Sequence, residues 1–390
     1  MKNLSQKILF LILLVLPIVD QVYKFDGNSP AVLMQAVVAI FMILIMSPMM
    51  LRYGYTQNAL VQHVFFLLVY TVFITLLIDK GFTSVYALGR VLYPWIGFLW
   101  VFYLTKYSVL DGKFFATFIF SLIVIYGAII FLNTGYRMAA RSLSVADNTG
   151  YLLVMILGGV MLFSKKKLHF PLGIFIIFIG VIISGKRGAI LALLLAAIPL
   201  AKYIFTSYSR SDVKKMFYIL LAILGVFFAL YMLGDYFDAT EARFQSLQED
   251  GGSGRTWMYQ LYFYHFLNSD IIYQTFGHGL YAGLIGKGRQ FAFMNKIAHS
   301  DWLEILYDFG VVGIVIFILI HIDIFRQIRR SRNVKDNDYY MLIITSIVFY
   351  IKALVSGTFL MSPDSIYMFT LLAYSMAKLD VRKTCYKEES

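Results

Sequence analysis

The chain is poor in charge. Only 14% of its 390 residues are Asp, Glu, Lys or Arg, whereas 60% are hydrophobic. A soluble globular protein carries about a quarter charged residues, so this composition cannot cover a water-facing surface. It excludes a cytosolic enzyme, a disordered chain and a disulfide scaffold. It predicts a polytopic membrane protein with a single transmembrane domain over residues 1–390.

Cysteine is almost absent as well. The one cysteine, Cys385, cannot form an internal disulfide. No cluster of Cys and His has metal-ligand spacing, so we predict no metal site and no cofactor. The chain also lacks an internal repeat, and the inverted halves of many secondary transporters therefore find no support in the sequence.

Long hydrophobic runs are abundant. A helix needs about 20 mostly apolar residues to cross a bilayer, and the sequence offers about twelve such runs. We predict an all-α fold with spans near residues 8–22, 31–50, 60–78, 86–105, 114–132, 148–163, 168–184, 188–206, 214–233, 303–325, 339–356 and 364–379. Basic residues concentrate in alternate short loops, which places both termini in the cytoplasm by the positive-inside rule.

The connection between the ninth and tenth spans, residues 234–302, is unusually long. At about 70 residues it far exceeds an ordinary connection. It contains Trp257, several tyrosines and glycine-rich turns, and residues 255–268 have the pattern of an amphipathic or interfacial helix. We predict that the whole connection folds as a lid on the outer face of the membrane.

Two arginines on the predicted outer side are candidate anion ligands. Arg187 opens an apolar run, where a cation must pair with an anion or extend toward the interface. Arg255 follows a glycine-rich turn at the start of the lid helix, where the helix dipole favours a bound anion. A guanidinium donates two parallel hydrogen bonds, which suits phosphate and diphosphate. An ordinary helix-end arginine remains the alternative at both positions.

His299 and two carboxylates precede or begin the tenth span. A neutral imidazole can accept a hydroxyl proton near pH 7, although a single interfacial histidine is more often structural. Glu304 and Asp308 share one helical face. They suit a proton or cation site or, as we slightly favour, partners for nearby arginines. Gly310 and Gly313 are more typical of close helix packing than of ligand binding.

These motifs together resemble the bacterial O-antigen ligase and polysaccharide polymerase family. Their order is Gly-Lys-Arg-Gly at 185–188, Gly-Arg-Thr-Trp at 254–257, Phe-Gly-His-Gly at 276–279 and a His-Ser stretch with two later glycines at 299–313. Residues 137–152 are similar to a short outer-loop element of that family. The resemblance covers spans five to ten. The chain has Ser300 where the family often has Asn.

The resemblance implies a membrane glycosyltransferase. It would take a glycan from an undecaprenyl-diphosphate carrier on the outer face of the bacterial cytoplasmic membrane. Arg187 and Arg255 would stabilise charge on the leaving diphosphate, and His299 would orient or deprotonate the acceptor hydroxyl. These three would be the catalytic residues. The substrate-binding candidates are Arg141, Arg90, Lys186, Trp257, Asn148, His278 and Glu304.

The expected partners are an undecaprenyl-diphosphate-linked oligosaccharide and membrane lipid, with a chain-length regulator protein as a further candidate and no nucleic acid. Three functions stay open. The first, which we favour, is a polymerase that joins repeat units of O-antigen or capsule. The second is a ligase that moves the glycan to lipid A-core or another acceptor. The third is a transporter or flippase for the same glycolipid, which does not explain a folded lid.

Overall fold

The predicted all-α fold is confirmed over the part of the chain that the computed structural model describes. That part comprises residues 2–23, 30–53, 58–78, 82–139, 148–208, 255–284, 290–294, 298–357 and 364–388. The helices are α1 (Lys2–Tyr23), α2 (Pro30–Tyr53), α3 (Ala59–Ile78), α4 (Phe82–Lys106), α5 (Gly112–Ala139), α6 (Thr149–Met155), α7 (His169–Ile183), α8 (Arg187–Ser207), α9 (Arg255–Leu267), α10 (Ile271–Phe276), α11 (Asp301–Arg330), α12 (Asn337–Val355) and α13 (Ser365–Glu388), with a 3₁₀ segment at Leu157–Phe163.

Six of the described helices are long and apolar enough to cross a membrane. They are α2, α3, α5, α8, α11 and α12. The chain is therefore a multi-pass membrane protein. The count of about twelve spans stays a prediction. Its ninth span, residues 214–233, lies outside the described residues, as does the first part of the lid up to residue 254.

The helices α8 and α12 run antiparallel and define the two ends of the bundle. At one end, a Cβ added to Gly188 would lie 3.1 Å from Cγ2 of Val355. At the other end, the hydroxyl of Tyr203 donates a hydrogen bond to Oδ1 of Asn337 at 2.8 Å. We call the end that contains Val355 the lid end, because the lid helix α9 begins there. Helix α8 begins at the lid end and α12 ends there.

The helix α11 folds back on itself at Gly310. That residue has φ 65° and ψ −165°, which is not helical. The ring centroid of Trp302 lies 5.1 Å from that of Phe317 and 4.9 Å from that of His321. A straight helix would separate residues 302 and 321 by about 28 Å. Residues 301–309 therefore form a first limb that packs antiparallel to the second limb, residues 311–330.

Only glycine fits at the reversal. A Cβ at Gly310 would overlap the carbonyl oxygen of Thr275 and the backbone nitrogen of Gly277, and its positive φ is unfavourable for other residues. The sequence predicted close packing at this glycine and a tenth span at residues 303–325, but it did not predict the reversal inside that span. At 1.5 Å per residue, the second limb alone still covers about 30 Å. The first limb instead becomes part of the site.

Candidate functional site

Arg255 lies against the last turn of α12. Its Nη1 donates a hydrogen bond to the carbonyl oxygen of Val355 at 2.6 Å. The last carbonyls of a helix lack intrahelical donors and carry the negative end of the helix dipole, so a cation there is doubly stabilised. The contact uses one of the five N–H donors of the guanidinium. It fixes the start of the lid helix at the lid end.

Arg187 reaches the same place from another part of the chain. It is the first residue of α8 and precedes Gly188, where α8 approaches α12 most closely. A Cβ at Gly188 would overlap the hydroxyl of Tyr151, so α6 also contributes to this junction. The structure thus brings the backbone of Arg187 and the side chain of Arg255 to the end of one helix, as the hypothesis of a shared anion site requires.

Tyr259 in the lid helix lies within electrostatic range of Arg255 and of the first limb of α11. Burial raises the pKa of its hydroxyl, the charge of Arg255 opposes that rise, and the charge of Glu304 adds to it. The hydroxyl of Tyr151 also acts on Tyr259 electrostatically. Groups from α6, α9 and α11 are therefore within electrostatic range of one another at the lid end.

His299 occupies a tight turn directly before the first limb. Its φ of 58° is left-handed, a conformation that costs a non-glycine residue about 1 kcal/mol. Its backbone amide donates to Oε1 of Glu304 at 2.9 Å. Glu304 is only 1% exposed, so this hydrogen bond is shielded from water. The Glu304 carboxylate therefore holds the turn that carries the imidazole, while its predicted contact with substrate stays a prediction.

Asp308, one turn further along the first limb, fixes the lid. Its carboxylate accepts hydrogen bonds from the amides of Tyr281 at 2.8 Å and Ala282 at 3.2 Å. Its backbone oxygen also accepts from the amide of Gly279 at 2.9 Å. Glu304 and Asp308, which the sequence suggested as partners for arginines, thus both bind backbone amides of the lid.

The helix α9 is amphipathic, as predicted. Met258, Tyr262 and Phe266 are buried on one side, and the ring of Tyr262 meets that of Tyr307 edge to face at 5.7 Å between centroids. Trp257 on the other side is 61% exposed. This side is available to a sugar or to the membrane interface, and the role of Trp257 in binding substrate stays a prediction.

His278 has a packing role in this structure. It is buried, its Nδ1 donates to the carbonyl oxygen of Tyr307 at 2.9 Å, and its Nε2 lies 2.8 Å from the hydroxyl of Ser269. Its ring stacks on those of Tyr273 and Tyr307. Burial lowers its pKa. Both ring nitrogens thus have partners within the protein, and the predicted contact of His278 with substrate stays a prediction.

The remaining predicted residues lie around this site or beyond the described part. Lys186 is the N-cap residue of α8, and its amide donates to the hydroxyl of Ser184 at 3.2 Å. Asn148 is exposed at the start of α6. Arg90 lies in α4, but its side chain is outside the described part, and Arg141 is outside the described residues altogether.

Three residues at the lid end were missed by sequence reasoning. Lys352 and Asp301 are buried, with 3% and 0% of their surfaces exposed, and Tyr151 is nearly so at 8%. The available signal was Lys352 itself. A charge inside an apolar span is costly, so an intramembrane lysine indicates a functional site by default. Tyr151 and Asp301 gave no comparable signal because each adjoins a predicted span end.

One comparison with known proteins places part of this site within a segment similar to a known family. Residues 172–318 match a family model described as O-antigen ligase. The matched segment runs from α7 through α8 and the lid to the second limb of α11, and it contains Arg187, Arg255 and His299. No curated protein matches the chain. The match covers less than half of the chain, and over that segment the chain is similar to the O-antigen ligase family.

Proposed function

We propose that this protein is a membrane glycosyltransferase that polymerises undecaprenyl-diphosphate-linked oligosaccharide repeat units. The observation that carries the proposal is the meeting of separate chain segments at the end of α12. Arg255 binds the carbonyl of Val355, and the start of α8 at Arg187 and Gly188 packs beside it. Glu304 holds the turn of His299 and acts electrostatically on Tyr259 in the lid helix. Such an arrangement offers fixed cations to an anion and an imidazole to a hydroxyl.

The chemistry follows from these groups. The acceptor hydroxyl oxygen forms a bond to the anomeric carbon of the donor sugar while the bond from that carbon to the diphosphate oxygen breaks. The electron pair of the broken bond stays on the diphosphate, where Arg187 and Arg255 stabilise the added negative charge without reorganising. His299 takes the proton of the acceptor hydroxyl. The family supports a polymerase or ligase type of enzyme.

The identity of the acceptor distinguishes a polymerase from a ligase. The family description favours a ligase, which would transfer the glycan to lipid A-core or another acceptor. Purified protein should therefore be given lipid-linked repeat units and no other acceptor. A ladder of products supports the polymerase. Absence of a ladder, together with transfer to a lipid core supplied afterwards, would establish the ligase instead.

The proposed reaction takes place outside the cytoplasm, so the lid end must face outward and both termini inward. The distribution of charge supports this orientation, because Lys165–Lys166–Lys167 and the Arg329–Arg330 pair lie at the end opposite the lid. The single cysteine offers a test. Cys385 should react with a membrane-impermeant maleimide only after permeabilisation, and a Trp257→Cys variant in a Cys385→Ser background should react in intact cells. The reverse pattern would contradict the orientation.

A further inference from the structure

Lys352 is a buried cation in a helix that can cross a membrane. It lies one turn before the end of α12 and is 3% exposed. A lysine in such a place faces the bundle interior and needs partners, because an isolated charge in the hydrocarbon region costs several kcal/mol or more. The groups that surround Lys352 therefore indicate the function of its charge.

The described residues give Lys352 one hydrogen bond, one aromatic contact and two carboxylates within electrostatic range. Its Nζ donates a hydrogen bond to the carbonyl oxygen of Gly357 and lies 5.5 Å from the centroid of the Tyr151 ring. The carboxylates of Asp301 and Asp364 act on it electrostatically. An ammonium group has three N–H donors, and one of them is bound to a protein oxygen here.

Lys352 shares these neighbours with the two arginines. The ring of Tyr151 lies against the ammonium of Lys352, and its hydroxyl contacts Gly188 at the start of α8. Arg255 also acts electrostatically on Tyr151. Arg255 and Lys352 bind carbonyls two residues apart at the end of the same helix, those of Val355 and Gly357. Arg255 and Lys352 thus lie at one helix end beside Tyr151, and the backbone of Arg187 reaches the same place from the start of α8.

We propose that Lys352 is a third cation of the anion site, which donates to a phosphate oxygen of the polyprenyl diphosphate when the donor binds. Asp301 balances its charge while the site is empty. This inference rests on the proposed function, since it assigns the headgroup that the site recognises. The ammonium acts as a point charge that adds to the bidentate arginines, and its loss should weaken binding of the diphosphate and not binding of the lipid tail.

The test measures binding and not transfer, so that it stays separate from the test of the proposed function. Full-length protein in nanodiscs is titrated with undecaprenyl diphosphate and, in parallel, with the uncharged undecaprenol. We expect Lys352→Met to weaken diphosphate binding about tenfold and to leave undecaprenol binding unchanged. Lys378→Met is the matched control, because Lys378 lies 5.6 Å over the Tyr374 ring in α13, in the same type of contact but away from the lid end. It should bind both lipids normally.

Removing Lys352 alone leaves the buried Asp301 carboxylate unbalanced, which can prevent folding. An Asp301→Asn and Lys352→Met double variant removes both charges and should fold while still losing diphosphate binding. Wild-type affinity for undecaprenyl diphosphate in either folded variant would overturn the proposal. A wild-type protein that binds the diphosphate through Lys352 but transfers no glycan would refute the proposed function and leave this inference standing.

Discussion

The hydrogen bond between Glu304 and the His299 amide gives the most sharply defined prediction. Replacement of Glu304 by Leu removes the acceptor of that amide at a position that is 1% exposed. A buried N–H left without an acceptor costs about 1–3 kcal/mol. The left-handed turn of His299 costs a further 1 kcal/mol or so, which the hydrogen bond no longer offsets.

The free-energy cost of losing this hydrogen bond and of the left-handed turn predicts how far kcat should fall. If the productive turn must be restored against about 2–4 kcal/mol, kcat falls roughly 30- to 1000-fold, since 1.36 kcal/mol corresponds to a factor of ten. Glu304→Gln keeps an oxygen acceptor of the same reach and should stay within about tenfold of the wild-type rate, because its amide oxygen can accept the same hydrogen bond. The KM for the donor should change little in both variants, because Glu304 acts through His299.

The assay is initial-rate transfer from a defined lipid-linked oligosaccharide by reconstituted protein, with size-exclusion profiles to confirm folding. A further comparison uses His299→Ala, in which the additional Glu304→Leu change should not reduce the residual rate, because two residues that act as one unit are not additive. The reasoning would be refuted if Glu304→Gln were as inactive as Glu304→Leu, which would make the carboxylate itself the base. Full activity of Glu304→Leu would refute it as well.

Three other predictions follow from the structure. Arg255→Lys and Arg187→Lys keep the charge but lose the planar fork, so each should lower transfer at least about tenfold, and near-normal rates in both would show that they serve only topology. Gly310→Ala should lower the melting temperature seen in fluorescence-detected size exclusion, because strain of about 1–3 kcal/mol adds to overlap with the lid backbone. An unchanged profile would contradict the reversal in α11. Because burial lowers the pKa of His278, the unfolded chain binds its proton more readily, and thermal stability should decline as the pH falls below about 6.5. A fall of equal size in His278→Asn would argue against this cause.

Much of the helical layout was predictable from hydrophobic length alone. The eighth span, predicted at residues 188–206, corresponds to α8 at Arg187–Ser207, and the lid helix predicted at 255–268 corresponds to Arg255–Leu267. Both segments have polar or glycine-rich boundaries that end an apolar or aromatic run. Such boundaries mark where a helix starts and stops with little help from the rest of the fold.

The reversal at Gly310 was not predictable in the same way. Periodicity shows that Gly310 belongs to an apolar helical run, but its positive φ results from contact with Thr275 and Gly277, which are over thirty positions earlier. The partners of His278 depend on the same fold-back, because Tyr307 lies on the first limb. Long-range contacts of this type leave no local trace in the sequence.

The site residues that could be predicted from the sequence are charged residues at positions where the predicted membrane topology disfavours a charge. Arg187 and Arg255 attracted attention because a cation at a predicted outer helix end is unfavourable without a purpose. A charge at Lys352 is even less favourable, because it lies inside an apolar run. The span prediction for residues 339–356 nevertheless included this single lysine without marking it as a candidate site residue. Asp301 gained a recognisable role only when the fold placed it near that lysine.

The central claim is that the lid end binds a lipid diphosphate and uses His299 to activate the acceptor. The most direct measurement is release of undecaprenyl diphosphate from a lipid-linked oligosaccharide by purified wild-type protein and by His299→Ala. We predict release coupled to glycan transfer in the wild type, and loss of release in the variant with donor binding intact. Undiminished release by His299→Ala, or release by neither protein while the glycolipid crosses the bilayer, would contradict the account.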